Sequence, residues 1–202
     1  MKKWLPLIIV LVIIFALFRW AISVNNKMVD MKVETEKSWA NVESSYQRRN
    51  DLIGNLVKTV QGAADFEKET LTQVIEARSK ATSTTIDANN LTAENMAQFQ
   101  QTQAGLTGAL SKLLLVVERY PDLKANANFL ELQSQLEGTE NRINVARDRF
   151  NENAGNYKAF IQKIPNNFIA GFMNFDAIPL YKSNPGSENA PNVNFDFNKK
   201  KE

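Results

Sequence analysis

Apolar residues recur at alternating steps of three and four along most of the chain. Three stretches carry the spacing, the first at Trp39, Val42, Tyr46, Arg49, Ile53, Leu56, Val60 and Ala63, the second at Met96, Phe99, Gln103, Leu106, Leu110, Leu113, Val117 and Tyr120, and the third at Phe129, Leu132, Leu136, Thr139, Ile143, Ala146, Phe150, Asn153, Tyr157, Phe160 and Ile164. This 3.5-residue period is typical of packed amphipathic helices and coiled coils. No comparable stretch alternates with the period of two expected of strands, so the pattern predicts an all-α fold.

Breaks in the pattern divide the body of the chain into four helices, at about residues 25–62, 65–82, 93–119 and 126–163. Asp65 is placed to cap the second helix and Thr92 the third, with a loop at residues 87–90 between them. Pro121 and Pro165 end the third and fourth helices. Short connections favour antiparallel neighbours, so we expect an antiparallel up-and-down four-helix bundle. The fourth helix then returns residues 165–175 to the base of the first helix, around residues 25–32.

The chain begins with an apolar run that is long enough to cross a membrane. Residues 4–18 carry no charge, and Arg19 is the one charged residue within residues 4–22. Because an arginine can extend its charged end to the interface, the usable span is residues 4–22. Trp4 and Trp20 lie near its two ends, where interfacial aromatic residues are expected. We therefore expect a contact with the lipid bilayer through residues 4–22, with the first bundle helix running straight on.

A cleaved signal peptide is the alternative interpretation of this segment, since Lys2 and Lys3 form a basic n-region. No clean small-x-small cleavage site lies near residues 16–23, and Arg19 and Trp20 would lie inside one, which favours a retained anchor. The expected organisation is an anchor at residues 1–24, a helical bundle at 25–182 and a disordered, polar tail at 183–202. Basic residues nearly tie across the two flanks, and the basic N-terminus favours a bundle on the extracytoplasmic side.

Composition excludes several kinds of chemistry. The chain has no Cys and no His, which excludes thiolate nucleophiles, disulfides, Ser–His catalysis and imidazole metal sites. A net charge of +2 gives no electrostatic case for nucleic-acid binding. The pairs Glu34/Glu36 and Glu67/Glu69 point to opposite helix sides, and no pattern brings two carboxylates into one pocket. We therefore expect no catalytic, cofactor-binding or metal-binding residues and no small-molecule substrate.

Polar residues interrupt the core positions at one common depth. Counted at 1.5 Å per residue from the membrane-distal end, they lie roughly 20–24 Å down their helices: Arg49, Arg78, Gln103, Thr139 and Glu140. A buried arginine needs a carboxylate, and Glu140 is the acid available at this depth. The pattern predicts a structural polar layer with an Arg49–Glu140 pair, supported by Gln103, with Arg78 nearby. The alternative is that both arginines extend into solvent, and anion binding by Arg48 and Arg49 is a further alternative.

An aromatic block follows Pro165, in residues 168–175. The block can seal the end of the bundle, lie on the membrane or dock a partner. The residues that carry these alternatives are Phe168, Ile169, Phe172 and Phe175.

Several segments together resemble the signature of the bacterial LemA family. They are residues 39–42, 46–57, 59–62, 76–78, 118–125, 140–143, 147, 150–151 and 171–172. Gly54 stands where the family usually has Pro, and Phe150 where it usually has Tyr. The resemblance implies an N-terminal membrane helix and an up-and-down four-helix bundle, and it implies no chemistry. The family is often drawn with a short external N-terminus, which is opposite to the orientation that charge favours.

These observations lead us to expect a non-enzymatic, membrane-anchored helical bundle, acting as a scaffold or interaction module of the bacterial envelope. It would be a single-pass protein of the inner membrane with a protein partner or self-association. One alternative is a membrane-tethered sensor or regulator of another envelope enzyme. Another is a hydrolase that uses an Asp/Glu pair, which a cleft with two buried carboxylates would favour.

Overall fold

The computed structural model of the chain describes residues 4–62 and 66–182. Every regular element in these ranges is helical: α1 (Leu5–Gln61), α2 (Lys68–Ser83), α3 (Ala93–Val117), α4 (Pro121–Lys124), α5 (Ala127–Gln162) and α6 (Asn166–Phe172), with one turn of 3-10 helix at Ala88–Asn90. The all-α prediction is confirmed for this part of the chain. The predicted tail at residues 183–202 lies outside the described residues.

The first helix, α1, continues without a break from the apolar run into the bundle. No proline follows Pro6 and no glycine precedes Gly54 in this helix, so nothing interrupts its backbone hydrogen bonds. The 57 residues of α1 span about 85 Å at 1.5 Å per residue. The large apolar side chains of residues 7–18 are more than half exposed. By length and composition, α1 contains a segment that is apolar enough to cross a membrane.

Local sequence explains where α2 and α3 begin. Thr92 and Asn95 form a reciprocal capping box at the start of α3, which confirms the prediction for Thr92. Glu67 occupies the N-cap position of α2, and Asp65, the predicted cap, lies outside the described residues. Phe66 is buried just before the helix begins, and its ring centre lies 4.9 Å from that of Tyr120.

Three short elements differ from the prediction, and the first is α4, which forms a single turn in the predicted break between the third and fourth helices. Residues 88–90, predicted as a loop, form a single 3-10 turn that is anchored by the Asp87 side chain. Beyond Pro165 the chain forms α6, and Ile164, assigned to the heptad pattern, is 80% exposed. The reason is that α5 has already ended at Gln162, so the heptad pattern no longer faces the core at Ile164.

The helices pack chiefly as two pairs, α1 with α5 and α2 with α3, while α1 also contacts α2 and α6. Two contacts define the pairing of α1 with α5. The Trp39 ring meets the Phe150 ring at 5.2 Å, and Arg49 is bonded to Glu140 at 2.9 Å. Trp39 also packs edge-on against Phe99 of α3, so one buried indole joins three helices.

Candidate functional site

The most elaborate group of polar side chains surrounds Arg49, which α1 places in the interior with 3% of its side chain exposed. Its guanidinium donates from Nη1 to Glu140 Oε1 at 2.9 Å and from Nη2 to Gln103 Oε1 at 2.6 Å. Nη1 also donates to the Thr107 hydroxyl at 3.2 Å. The Arg49 carbon Cζ lies 4.8 Å from the centre of the Tyr46 ring, within cation–π range. The structure thus brings Arg49, Gln103 and Glu140 into contact.

The spacing of residues along α3 and α5 explains how the partners of Arg49 reach its guanidinium. Gln103 and Thr107 are four residues apart on α3 and therefore lie on the same face, and the Thr107 hydroxyl donates to the Gln103 carbonyl. Glu140 follows the buried Thr139 on α5 and is 44% exposed at its side chain. Thr107 was missed by the sequence analysis, although its position one turn from Gln103 was a sufficient signal. The carboxylate thus reaches the guanidinium from the edge of the bundle.

This polar layer separates two apolar clusters. The membrane-proximal cluster ends at Tyr46, Phe99 and Ile143, and the distal cluster begins at Leu52, Leu106 and Leu136. Between them, the buried positions are polar on all three long helices: Arg49, Asn50, Gln103 and Thr139. The layer therefore crosses the bundle at a single level.

Arg78 lies beside the layer rather than within it. Its Nε donates to the Asn50 carbonyl at 2.7 Å, from α2 to the backbone of α1. The guanidinium packs against Gly54, where an added Cβ would lie 3.0 Å from Cζ and Nη2. A residue with a side chain at position 54 would therefore displace Arg78, which is one reason why glycine suits this chain.

The segment after α6 is tied back to the bundle. Asn151 of α5 pairs with the Tyr181 backbone through two hydrogen bonds, accepting from N–H at 2.8 Å and donating to C=O at 3.0 Å. The Tyr181 and Tyr46 hydroxyls lie 2.7 Å apart, and Arg147 Cζ is 4.0 Å from the Tyr181 ring centre. Burial and the neighbouring Tyr181 hydroxyl raise the pKa of Tyr46 above its usual range. We call the contacts of Tyr181 with Asn151 and Tyr46 the Tyr181 latch. The sequence did not predict this latch, because a short nonhelical segment shows no periodicity.

The aromatic block is divided between two surfaces. Ile169 and Phe175 pack against the membrane-proximal cluster, whereas Phe168 and Phe172 are 72% and 83% exposed. The residues named by the sequence analysis therefore do not act as one patch. The first two help to close the bundle, and the other two face outward.

The Asp and Glu side chains of the described residues all keep some exposure to solvent. No Asp or Glu side chain is fully buried in the described ranges, and no group of three or more acidic residues there has a metal-binding arrangement. A cleft of about 640 Å³ beside the polar layer is lined in part by Glu43, Asp51 and Asp87. Burial raises the pKa of the Glu43 carboxyl, and Oε1 accepts a hydrogen bond from the Ile86 N–H at 3.3 Å.

The other polar residues considered from sequence have ordinary surroundings. Arg48 is exposed, so it does not join Arg49 in one site. Glu67 is bonded to Arg119 at 2.7 Å, and Glu36 lies 3.8 Å from Lys32. Glu36 and Glu67 therefore each have a cationic neighbour on the protein itself.

Known proteins resemble this chain over most of its length. Magnetosome protein MamQ 2 of Paramagnetospirillum magneticum is 25% identical over 184 residues, covering 81% of this chain and 66% of the relative. Magnetosome protein MamQ of Magnetospirillum gryphiswaldense is 24% identical with the same coverage. Protein LemA of Metamycoplasma hominis is 20% identical over 158 residues, covering 78% and 68% of the two chains. The chain thus spans just under two thirds of the length of these MamQ proteins.

A family model described as the LemA family matches residues 38–195. The matched region contains the Arg49 layer, the Tyr181 latch and both faces of α6. Because the match covers well over half of the sequence, the chain belongs to the LemA family.

Proposed function

We propose that the chain is a non-enzymatic scaffold of the bacterial inner membrane: a single-pass anchor that continues into an antiparallel four-helix bundle and holds a protein partner. The observation that carries this proposal is the continuity of α1 from the exposed apolar segment into the buried core. A continuous helix fixes the bundle relative to its anchor, whereas a flexible linker would let it reorient.

The contacts between α1 and α5 support an antiparallel arrangement. Trp39 of α1 contacts Phe150 of α5. Ten residues further along α1, Arg49 contacts Glu140, which lies ten residues earlier on α5. The two helices therefore keep a constant register over this distance. Continuing it brings the end of α5 level with the start of the bundle part of α1.

The polar interior supports a structural role. The Arg49 guanidinium makes four contacts with its own chain, to Glu140, Gln103, Thr107 and Tyr46, so each of these groups is already engaged by a structural partner. A buried polar layer fixes which residues face each other, since any sliding of one helix leaves the arginine unpaired. We infer that the layer sets the register of α1, α3 and α5.

The relatives support the same conclusion. Their printed names, LemA and magnetosome protein MamQ, name no reaction. Names that describe no reaction are consistent with a scaffold that binds a partner and catalyses nothing. We also propose that the bundle lies on the extracytoplasmic side of the membrane, because the basic N-terminus favours this orientation.

The test is to isolate the partner with the tagged full chain. The chain is crosslinked in cells and purified in detergent, and the captured protein is then recombined with the pure full chain. We expect a stoichiometric complex that survives gel filtration and persists in the variant Glu43→Gln, Asp51→Asn, Asp87→Asn, which removes the charged carboxylates of the cleft. If instead the chain converts the captured molecule and the triple variant stops the conversion, the chain is an enzyme and the proposal is wrong.

A second variant tests the rigid coupling. A flexible Gly/Ser insertion between Ser23 and Val24 interrupts α1 at the base of the bundle. We expect the purified complex to form normally in detergent, while crosslinks to the partner in cells decrease because the bundle is no longer held in place. Unchanged crosslinks in cells would show that continuity of α1 has no role. If complex formation changes the rate of a captured enzyme, the regulator alternative replaces the passive scaffold.

A further inference from the structure

The short helix α6 and the residues on either side of it expose an unusual amount of apolar surface. Phe172 is 83% exposed, Ile164 80%, Phe168 72% and Met173 51%. The opposite side of α6 is ordinary core, because Ala170 is buried and Ile169 packs against the membrane-proximal cluster. Four large apolar side chains grouped in ten residues form a patch of the kind that marks an interaction surface. We call these four residues the foot of the bundle.

The foot lies where the chain reverses direction. The helix α5 runs toward it through Tyr157 and Ile161, and after α6 the chain returns to pair Tyr181 with Asn151, ten residues before Ile161 on α5. The helix α6 therefore occupies the end of the bundle and not its side. This placement leaves its outer surface free of α5 and of the returning segment.

The same end of the bundle meets the apolar part of α1. The cluster that receives α6 includes Val24 and Met28, which are buried, and α6 contacts α1 directly. The register of the Trp39–Phe150 and Arg49–Glu140 contacts places Gln162, the last residue of α5, level with Lys27. Lys27 is five residues beyond Ile22, or about 7–8 Å along the helix axis, and the foot begins directly after the end of α5. The foot therefore stands at the level where the exposed apolar segment of α1 ends.

We propose that the foot inserts into the same bilayer that α1 crosses, at the boundary between head groups and acyl chains. Aromatic and large aliphatic side chains favour this depth, where interfacial helices bury their apolar face about 5–10 Å. The inference rests on the proposed membrane span and antiparallel bundle, and it adds a second lipid contact. Two contacts, α1 and the foot, would hold the bundle upright, because tilting it would withdraw one side of the foot from the lipid.

Site-specific labelling tests the inference, since the chain contains no natural cysteine. Phe168→Cys and Phe172→Cys are each labelled with the fluorophore bimane in the full chain. The labelled chains are reconstituted into phosphatidylcholine/phosphatidylglycerol vesicles with or without nitroxide groups on the acyl chains. Leu115→Cys, 73% exposed near the distal end of α3, is the matched control. Phe15→Cys, 65% exposed in the apolar segment of α1, reports the membrane span.

We expect nitroxide lipid to quench the labels at positions 15, 168 and 172 severalfold more than the label at position 115. If position 15 is quenched but positions 168 and 172 behave like 115, the foot does not enter lipid and the inference is wrong, while the anchor stands. If position 15 is not quenched, the membrane span fails, and both proposals fail with it. If the labels on the foot shift to the blue without quenching by lipid, a protein surface covers them, which also overturns the inference.

Discussion

The Arg49–Glu140 pair gives the sharpest quantitative prediction, because its two members differ greatly in exposure. The substitutions are Arg49→Met and Glu140→Gln, singly and together, in the full chain. Arg49 has 3% of its side chain exposed and Glu140 has 44%. Methionine keeps the apolar part of the arginine without its charge, and glutamine keeps a hydrogen-bond acceptor at position 140 without the negative charge.

The geometry places the expected coupling between two limits. Breaking a fully buried ion pair by removing one partner costs about 3–5 kcal/mol, and an exposed pair contributes about 0–1 kcal/mol. Without the Glu140 charge, Arg49 still donates to Gln103 at 2.6 Å and to Thr107 at 3.2 Å, which offsets part of the loss. We therefore expect a coupling free energy of about 1–3 kcal/mol, above the surface range.

The assay is urea unfolding of the full chain in mild detergent, followed by far-ultraviolet circular dichroism, for all four members of the double-mutant cycle. The matched control is Arg119–Glu67, an ion pair of similar length at 2.7 Å with side chains 65% and 38% exposed. The equivalent substitutions Arg119→Met and Glu67→Gln should couple by less than about 1 kcal/mol. The comparison therefore holds the chemistry constant and changes the burial of the cation.

A coupling below about 0.5 kcal/mol at Arg49–Glu140, within the range of surface pairs, would refute the reasoning. It would show that water at the exposed Glu140 carboxylate screens the charge as it does on the surface. The register-setting role would then rest on Gln103 and Thr107 alone. Equal coupling in the two pairs would lead to the same conclusion.

Substitutions at three further positions test the packing around the layer. Gly105→Ala, where nothing lies within 4 Å of an added Cβ, should stabilise the chain by about 1 kcal/mol, whereas Gly54→Ala should gain less because its Cβ would meet Arg78 at 3.0 Å. Equal gains in thermal unfolding would contradict the packing of Arg78. Asn151→Ala removes both bonds to the Tyr181 backbone and should cost about 1–2 kcal/mol. Faster hydrogen exchange at the Tyr181 amide in Asn151→Ala would show that this contact has opened.

The long helices were predictable because their heptads extend over many turns. Trp39, Ile53 and Phe150, chosen by spacing alone, are completely buried. Counting residues from the distal end placed Arg49 and Glu140 at one depth, and the structure has them 2.9 Å apart. Depth is predictable in this way because each residue of an α-helix adds a constant 1.5 Å.

The shorter elements have too few helical turns for the spacing of apolar residues to show which face is buried. The seven residues of α6 make about two turns, which do not show which side is buried, so Phe168 and Ile169 were assigned to one group. The Tyr181 latch depends on an amide side chain that pairs with a distant backbone, and such a pairing leaves no periodic signal. Arg78 was placed at the right depth, but its acceptor is a main-chain carbonyl, which no choice of residue type reveals.

Two buried tyrosines should respond in opposite ways to the loss of their hydroxyl groups. The Tyr157 hydroxyl has no hydrogen-bond partner within the described ranges, whereas the Tyr46 hydroxyl is bonded to that of Tyr181 at 2.7 Å. Tyr157→Phe should therefore be neutral or stabilising, and Tyr46→Phe should cost about 1–3 kcal/mol by leaving the buried Tyr181 hydroxyl unpaired. Urea unfolding at neutral pH measures both. A loss above about 1 kcal/mol for Tyr157→Phe would show that a buried water satisfies this hydroxyl.

Alkaline pH separates the effects of burial and hydrogen bonding at Tyr157. Burial raises the pKa of Tyr157 to about 12, against about 10 for tyrosine in an unfolded chain. Above pH 10 the unfolded chain loses this proton while the folded chain retains it, so ionisation favours unfolding. The stability that neutral Tyr157 contributes is thus complete below pH about 10 and is lost as the pH rises toward about 12. Phenylalanine cannot ionise, so Tyr157→Phe should lose less stability than the parent chain between pH 9 and 11. Parallel pH curves for the two chains would mean that Tyr157 titrates as it does in water, and that its ring is not sealed in the core.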